Sequence, residues 1–383
     1  MMLKLCIKEK DMYDLLIIGG GASGLLTAAL ASKKGIRTAV IERNNAPAKK
    51  IYATGNGHCN YLNERAKSAE MIKAVLEGVG IVGSKDEEGR YYPLSREASS
   101  VARALILAAE RNGAKIICDK HITDVVKRGD VFKALSKDGE VFEGKSLVIA
   151  TGGKAGIQFG CYGEGFRWAQ TLGHSLVKPV PALVPAEAAD DISDLHGVRV
   201  RGEVSLLCCG ERLSSERGEI QFTKDSVSGI CVMDQSRNIR LGEGKDYELS
   251  IDLFPQMEKE ELLLLLSSQK DRTGDPLEGL LPSKLKSYIE KDDIKDLSFL
   301  SSKLKDLRFR VKGTKGWSDA QVTSGGIPLD EIDMDTMESK KLPGLYFAGE
   351  IIDYDGPCGG FNLANAWRSA ILIADSIDDG KLD

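Results

Sequence analysis

The feature that most constrains the fold is a glycine-rich turn near the N-terminal end. Asp14 to Ile18 (DLLII) is a short, continuous apolar run, the pattern of a strand covered on both faces. Gly19-Gly20-Gly21-Ala22-Ser23-Gly24 follows at once and fits G-x-G-x-x-G, and Ala22 to Lys34 reads as an Ala- and Leu-rich helix stopped by Gly35. Arg37 to Glu42 (RTAVIE) is a second buried strand that ends on an acid. A βαβ opening of this kind binds a dinucleotide. Gly19 allows the tight turn, Gly21 lets a pyrophosphate approach the backbone at the helix start, Gly24 lets helix and sheet pack closely, and Glu42 accepts from ribose hydroxyls.

The rest of the chain sorts into blocks. Glu97 to Asn112 predicts a second helix, stopped by Gly113, and Ala114 to Cys118 another strand. From Ile122 to Ile149, short alternating segments separated by Gly129-Asp130 and Asp138-Gly139 predict a meander that returns into the parallel sheet. Ala182 to Leu253 is β-like with little helical period. Glu258 to Leu307 carries Leu, Lys, Glu, Asp and Ser at helical spacing, interrupted at Thr273 to Pro276 and at Pro282. A buried strand at Leu345 to Ala348 and a terminal helix from Asn362 to Ile377 restore the α/β character. The expected organisation is a discontinuous dinucleotide-binding domain, 1–182 and 317–383, with a β-rich insert at 183–254 and a helical insert at 255–316.

The first motif does not separate a nicotinamide from a flavin dinucleotide, but the far end of the chain does. The strand LYFAG ends at Gly349, followed by Glu350, the acidic loop Asp353-Tyr354-Asp355-Gly356, and Gly359-Gly360-Phe361-Asn362 opening the last helix. A glycine at a second strand end allows close approach to a cofactor held at the first site, and Glu350 is placed to hydrogen-bond a polyol. The free amides from Gly359 to Leu363 can face an electron-rich ring edge and stabilise negative charge at the N1/C2 carbonyl locus of a reduced flavin. The competing reading of this segment is an ordinary helix start after a glycine loop. Ala150-Thr151-Gly152 ends the strand after the meander, where small residues let the chain pass near a cofactor.

Composition narrows the function classes. The 57 acids outnumber the 52 bases, giving a formal charge of −5 with no basic stripe to follow a phosphate backbone, so nucleic acid is not an expected partner. The eight cysteines show no C-x-x-C and no zinc-like spacing, and His121, His174 and His196 lack companions at metal-ligand spacing, so no metal is expected. The N-terminal residues lack the apolar core of a signal peptide and the longest apolar stretches are far short of a membrane span. A cytoplasmic protein with a small-molecule substrate and no membrane partner is the expectation; nothing in the sequence sets an oligomeric state.

Several longer segments, DLLIIGGGASGLLTAAL, AKKIYATGNGHCNYLN, VIATGG, QFTKDSVSG and AQVTSGGIPLDEIDMDTMESKKLPGLYFAGEIIDYDGPCGGFNLANAW, carry a detailed resemblance. The chain resembles the BaiN/YhiN-like flavoproteins, also called the aminoacetone oxidase family, over nearly its whole length after Tyr13. The resemblance implies a two-dinucleotide-binding-type flavoprotein with a Rossmann-like FAD-binding domain, interrupted by a β-barrel-like insert and a small helical module, and noncovalent FAD. Carried over, the pyrophosphate loop is Gly19, Gly21 and Gly24 with Ala22 and Ser23, and the ribose carboxylate is Glu42 beside Arg43. The flavin-facing loops hold Gly55, Asn56, Gly57 and Asn60, then Gly349, Glu350, Gly359, Gly360 and Asn362 with Phe361 and Leu363. Lys50 falls where the family has a lysine before its glycine loop. The sequence departs from the family pattern at His58 and Lys49, where arginines are expected, at Lys224 and Ser226, where His and Gly are expected, and at Cys358.

His58 and Cys59 are the candidate catalytic residues. His58 could carry a proton near neutral pH, or only contact a phosphate or a carbonyl in place of arginine. Cys59 could be a redox thiol, or a small buried residue under the ring. The expected activity is hydride transfer between a small organic substrate and flavin N5. An amino-ketone oxidase of the aminoacetone type is the first expectation, and an NAD(P)H-dependent reductase of a bile-acid-type enone is the alternative, with NAD(P)H as transient electron donor. No second G-x-G-x-x-G follows a later strand, which favours an oxidase, or a reductase whose nicotinamide visits the substrate site. A tRNA-modifying enzyme or a non-catalytic flavoprotein are expectations of a different class.

Overall fold

The structure is a computed structural model and describes residues 12–239, 244–292 and 296–377. The chain divides into two compact units, one running to Val180 and resuming at Val322, the other Pro181–Gln321.

The first unit is built on a parallel sheet. The opening strand Met12–Ile18 pairs with Thr38–Ile41 on one side and with Val141–Ile149 on the other, and Thr38–Ile41 pairs in turn with Lys115–Ile117. Leu15, Leu16, Ile17, Val40, Leu147 and Val148 are all fully buried, as continuous apolar runs require when both faces are covered. Val141–Ile149 divides its other edge. Its first half pairs antiparallel with Val131–Ser136, which pairs with Ile122–Arg128; its last residues pair parallel with Leu345–Phe347, Leu147 opposite Leu345 and Ile149 opposite Phe347. The meander therefore does return into the sheet, and the chain's last strand joins the N-terminal strands.

The opening helix Ala22–Lys33 is apolar on every side because it is buried on every side. Ala28, Ala29 and Ala31 enter the core behind the sheet, while Leu25 and Leu26 enter a second core with Tyr61, Ile72, Leu105 and Trp367. The last helix, Phe361–Ser376, packs along it, and Lys34 Nζ donates to the Ala374 carbonyl at 2.6 Å.

The second unit is a closed six-stranded antiparallel barrel of Ala186–Ala188, Ser226–Ser228, Glu211–Phe222, Arg199–Cys208, Tyr247–Asp252 and Leu307–Thr314. Its core holds Val204, Leu206, Phe222, Leu249 and Phe309, and the helices Lys259–Thr273, Ser283–Glu290 and Leu297–Lys305 add Leu262, Leu266, Leu285, Ile289, Leu300 and Leu304 to the same core. The span 255–316, expected as a helical insert of its own, thus differs in two ways. Its helices share the barrel's core, where their leucine stripes are buried, and its final segment LRFRVKGT is a strand. Alternation of buried Leu307, Phe309 and Val311 with exposed arginines gives that segment a two-residue period, and it closes the barrel against Ala186–Ala188 and Tyr247–Asp252.

Candidate functional site

The N-terminal turn has little spare room except in one place. A Cβ on Gly19, whose φ is +109°, would stand 2.4 Å from the Ala150 carbonyl oxygen, and one on Gly24 would stand 2.0 Å from the Gly19 carbonyl oxygen. Nothing lies within 4 Å of the corresponding point on Gly21. That open space adjoins a helix start with no side-chain cap, so the first amides of the helix are left for a ligand. Ala22 is half-buried and Ser23 buried behind it.

Glu42, 7% exposed, is held in place at both oxygens. The Gly20 N–H donates to Oε2 at 2.8 Å, while the Asn44 N–H and Nδ2 donate to Oε1 at 2.7 and 2.8 Å. Oε1 is filled by its two donors, and Oε2, with one, keeps a further lone pair for a ribose hydroxyl. A cleft beside it is lined by Gly19, Glu42, Arg43, His121, Thr151 and Glu164. The Arg43 guanidinium lies 4.5 Å from the Tyr162 ring centroid and donates to Glu164 Oε1 at 2.6 Å. Gly20, Asn44, His121 and Glu164 were not singled out from the sequence. Gly20 is a variable position of the motif, and His121, just before the strand Ile122–Arg128, and Glu164, first residue of the helix Glu164–Thr171, reach the cleft only in the folded chain.

The two ends of the chain meet at Lys50, whose Nζ lies 2.6 Å from Glu350 Oε2. Glu350 Oε1 accepts from the Thr323 N–H at 3.0 Å, and Thr323 Oγ1 accepts the N–H groups of Lys154 and Ala155 at 2.8 and 3.0 Å. A Cβ on Gly153 would stand 2.2 Å from Thr323 Oγ1 and 2.8 Å from Glu350 Oε1, so the packing there requires glycine. Burial works to lower the Lys50 pKa, but Glu350 and Cys161 outweigh it and the ammonium is held above its ordinary value. The Cys161 thiol beside it is pushed up to about 11, chiefly by burial.

The glycine loop before Tyr61 is left-handed at Gly55, Asn56, Gly57 and Cys59, with φ of 55°, 54°, 89° and 52°. His58 is exposed and its Nδ1 lies 2.8 Å from the Arg96 carbonyl; since a carbonyl only accepts, Nδ1 carries a proton. Cys59 is fully buried in the core that contains Trp367, and its thiol is pushed up to about 11 by burial, partly opposed by Thr54. Asn60 Oδ1 is a buried acceptor without a hydrogen-bond partner among the described residues.

At the C-terminal motif, Gly349 has φ of +75°, donates its N–H to Ser369 Oγ at 2.9 Å, and approaches the opening helix so closely that a Cβ would stand 2.7 Å from Ser23 Oγ. The Gly359 carbonyl accepts from Asn63 Nδ2 at 2.8 Å. Asn362 clasps the preceding loop, accepting from the Gly356 N–H at 2.8 Å and donating to its carbonyl at 2.9 Å. The Phe361 ring centroid is 6.0 Å from the Arg65 guanidinium, and Leu363 is half-buried against the helical core. Ala150 is buried beside Gly19, and Gly152 is left-handed with open space beside it. Lys224 and Ser226 belong to the barrel unit.

These residues fit FAD. The space at Gly21 before uncapped amides suits a pyrophosphate, the anchored Glu42 and its cleft suit an adenosine, and the unpartnered Asn60 oxygen suits an imide N–H such as an isoalloxazine carries. No group of three or more His, Cys, Asp or Glu among the described residues could hold a metal ion, and no described helix is long and apolar enough to cross a membrane.

A sheet carrying this turn, joined by a returning strand and the last helix, is a dinucleotide-binding fold, and the family match makes the chain an FAD-dependent oxidoreductase. The description HI0933-like protein Rossmann domain matches residues 68–376, and NAD(P)-binding Rossmann-like domain matches residues 17–60. The chain belongs to the HI0933-like family, of which the BaiN/YhiN-like flavoproteins are members. It is 32% identical to the 3-dehydro-bile acid delta(4,6)-reductase of Clostridium scindens, over 93% of this chain and 97% of that protein. It is 27% identical to the ribosomal RNA dihydrouridine synthase of Escherichia coli, over 97% of this chain and 99% of that protein. The open conformation of a flavocytochrome c3 fumarate reductase aligns with a TM-score of 0.50 at 15% identity, covering 96% of this chain and 77% of that one, a likeness of fold alone.

Proposed function

We propose that this oxidoreductase reduces a carbon–carbon double bond conjugated to a carbonyl in a small organic molecule, with NADH or NADPH as electron donor. The observation that carries this reading is the near full-length similarity to two proteins whose names describe the same kind of reaction. One reduces a 3-dehydro-bile acid and the other forms dihydrouridine, so each adds a hydride and a proton across a double bond near a carbonyl. This favours the enone reductase over the amino-ketone oxidase, which rests on family resemblance alone.

Bound FAD would supply the hydride relay between nicotinamide and substrate. The chain's part is to hold and orient. Glu42 and the amides after Gly21 take the adenosine and pyrophosphate, and Glu350 keeps Lys50 charged while Thr323 ties both to the loop at Gly153. His58, exposed and fixed at Nδ1, is the candidate proton carrier; Cys59, buried and protonated, belongs to the core around Trp367. A cytoplasmic location, where NAD(P)H is available, goes with this reading.

A small substrate is favoured over RNA by how the barrel's surface charge is spent. Arg199, Arg217, Arg308 and Arg310 pair with Glu219, Glu203, Glu248 and Asp190 at 3.2, 2.6, 3.2 and 2.6 Å. Cations already neutralised locally make a poor phosphate track. A uridine in ribosomal RNA is the second reading, favoured by the dihydrouridine synthase relatives.

The test is anaerobic reduction of the FAD-loaded protein by NADH or NADPH, followed by challenge with a steroid dienone, a ribosomal RNA transcript or aminoacetone. Flavin reoxidation by the dienone, with a product heavier by two hydrogens, is expected. Dihydrouridine in the transcript without dienone turnover would select the second reading. Reduction of oxidised flavin by aminoacetone, with no enone turnover, would overturn both.

A further inference from the structure

The barrel carries two adjacent thiols in an arrangement its backbone does not need. Arg199–Cys208 and Glu211–Phe222 form a hairpin in which Cys208 pairs with Glu211, leaving Cys209 and Gly210 as a two-residue loop. Their φ values are +52° and +86°, the pattern of a type I′ turn. The first position of such a turn is the place of Asn, Asp or Gly, which reach the left-handed region at little cost, whereas cysteine there is strained. The conformation is nevertheless pinned, because the Cys209 N–H donates to the Asp246 carbonyl at 2.8 Å and Cys208 also pairs with Tyr247 on the neighbouring strand. A costly residue in an over-determined turn points to a use for its side chain.

Cys209 is exposed and Cys208 half-buried, and the two neighbouring thiols are close enough to influence one another. Two sulfurs on consecutive residues at a turn tip have a narrow bite. They cannot stand on opposite sides of an ion, as linear two-coordinate soft metals demand, and no third Cys, His, Asp or Glu joins them in a group able to hold a metal among the described residues. A narrow bite does suit a pyramidal trivalent centre, which takes two sulfurs on adjacent edges and keeps its third bond for a substituent.

We propose that Cys208 and Cys209 form a chelating site for a trivalent arsenical or antimonial. With an organoarsenic oxide the step is a condensation. The two S–H bonds and the arsenic–oxygen bond break, two arsenic–sulfur bonds form, and one water leaves with the oxide oxygen and both thiol protons. Arsenic stays trivalent, so no oxidant or reductant is required.

The probe is phenylarsine oxide on the intact, FAD-loaded protein, read by intact mass and by competition with thiols. One adduct is expected, stable to excess monothiol and removed by a dithiol. Cys208→Ser and Cys209→Asn should each weaken binding by on the order of a hundredfold or more, because the second sulfur no longer binds intramolecularly. Cys209→Asn suits the turn, so its melting temperature should hold or rise, which separates a lost site from a lost fold. Retention of the dithiol-sensitive adduct in Cys209→Asn, or its removal from the unmodified protein by monothiol, would overturn the proposal.

Discussion

Lys50 Nζ and Glu350 Oε2 lie 2.6 Å apart although 300 residues separate them in the chain. The pair joins the loop that follows the first cofactor motif to the strand end that opens the second. It is partly buried, with side-chain exposures of 30% and 19%, so removing one partner strands the other. Lys50→Met and Glu350→Gln are each expected to cost roughly 1–3 kcal/mol in FAD affinity, or about ten- to a hundredfold in Kd. Titration of apoprotein with FAD measures both. A double variant losing the full sum of the two single effects would show that the residues act independently.

Glu42 is a demanding position because both of its oxygens accept from the protein and Oε2 is proposed to accept from a ribose as well. In Glu42→Gln one acceptor becomes a donor facing an N–H, whichever way the amide turns, so partial FAD loss is expected, on the order of 1–3 kcal/mol. Glu42→Arg removes both acceptors and adds bulk and should leave the purified protein nearly colourless. The ratio of released FAD to protein checks the order; equal occupancy in the two variants would contradict it.

Gly360 decides between the two readings of the last helix start. Its φ is +96°, and a Cβ would stand 2.6 Å from the Leu62 carbonyl carbon and 2.7 Å from Asn60 Oδ1. Gly360→Val is therefore expected to lose FAD and melt at lower temperature. Full FAD occupancy with a lowered reduction potential would instead favour a purely electrostatic role for this glycine.

The unit organisation can be tested by excision. The strands Val177–Ala182 and Val322–Gly326 pair with one another, and among the described residues the first unit builds its cores from its own side chains. A chain with 181–321 replaced by a short Gly/Ser linker should fold and bind FAD, whereas 1–182 alone should not, lacking Leu345–Phe347 and the last helix. FAD binding by the shorter fragment with full affinity would remove the C-terminal motif from the site.

Stability should fall on both sides of neutrality. The Cys59, Cys161 and Cys231 thiols are pushed up to about 11 from an ordinary 9.0, chiefly by burial. Their contribution is complete below 9.0 and is lost as pH rises through about 11. Partial burial of Glu331 works to raise its pKa, but Lys341, Ser175 and His174 hold it down at about 2 against an ordinary 4.5. That contribution is present above 4.5 and is lost as pH falls through about 2. His174, lowered by burial against the pull of Glu331, adds stability that begins to fade as pH falls below 6.5. Thermal melts across this range should show a plateau with two falling limbs; a melting temperature unchanged above pH 9.0 would show that the thiols are not the buried groups described.

Much of the cofactor domain was legible because its signals are local. The apolar run before Gly19, the glycine spacing, the acid at Glu42 and the turn pairs of the meander each state a backbone preference or a burial pattern within a few neighbouring residues. The same holds for the last helix and its glycine start. The tertiary structure alone decided the partners. That Gly20 rather than a ligand first holds Glu42, that Thr323 ties Glu350 to the Gly153 loop, and that Leu307–Thr314 closes a barrel instead of ending a helical module all depend on which strand edges lie side by side. Periodicity tells a residue which face to bury, because that follows from its neighbours in the chain; the partner of a buried charge follows from the crossings of the sheet, which bring together residues as distant as Lys50 and Glu350.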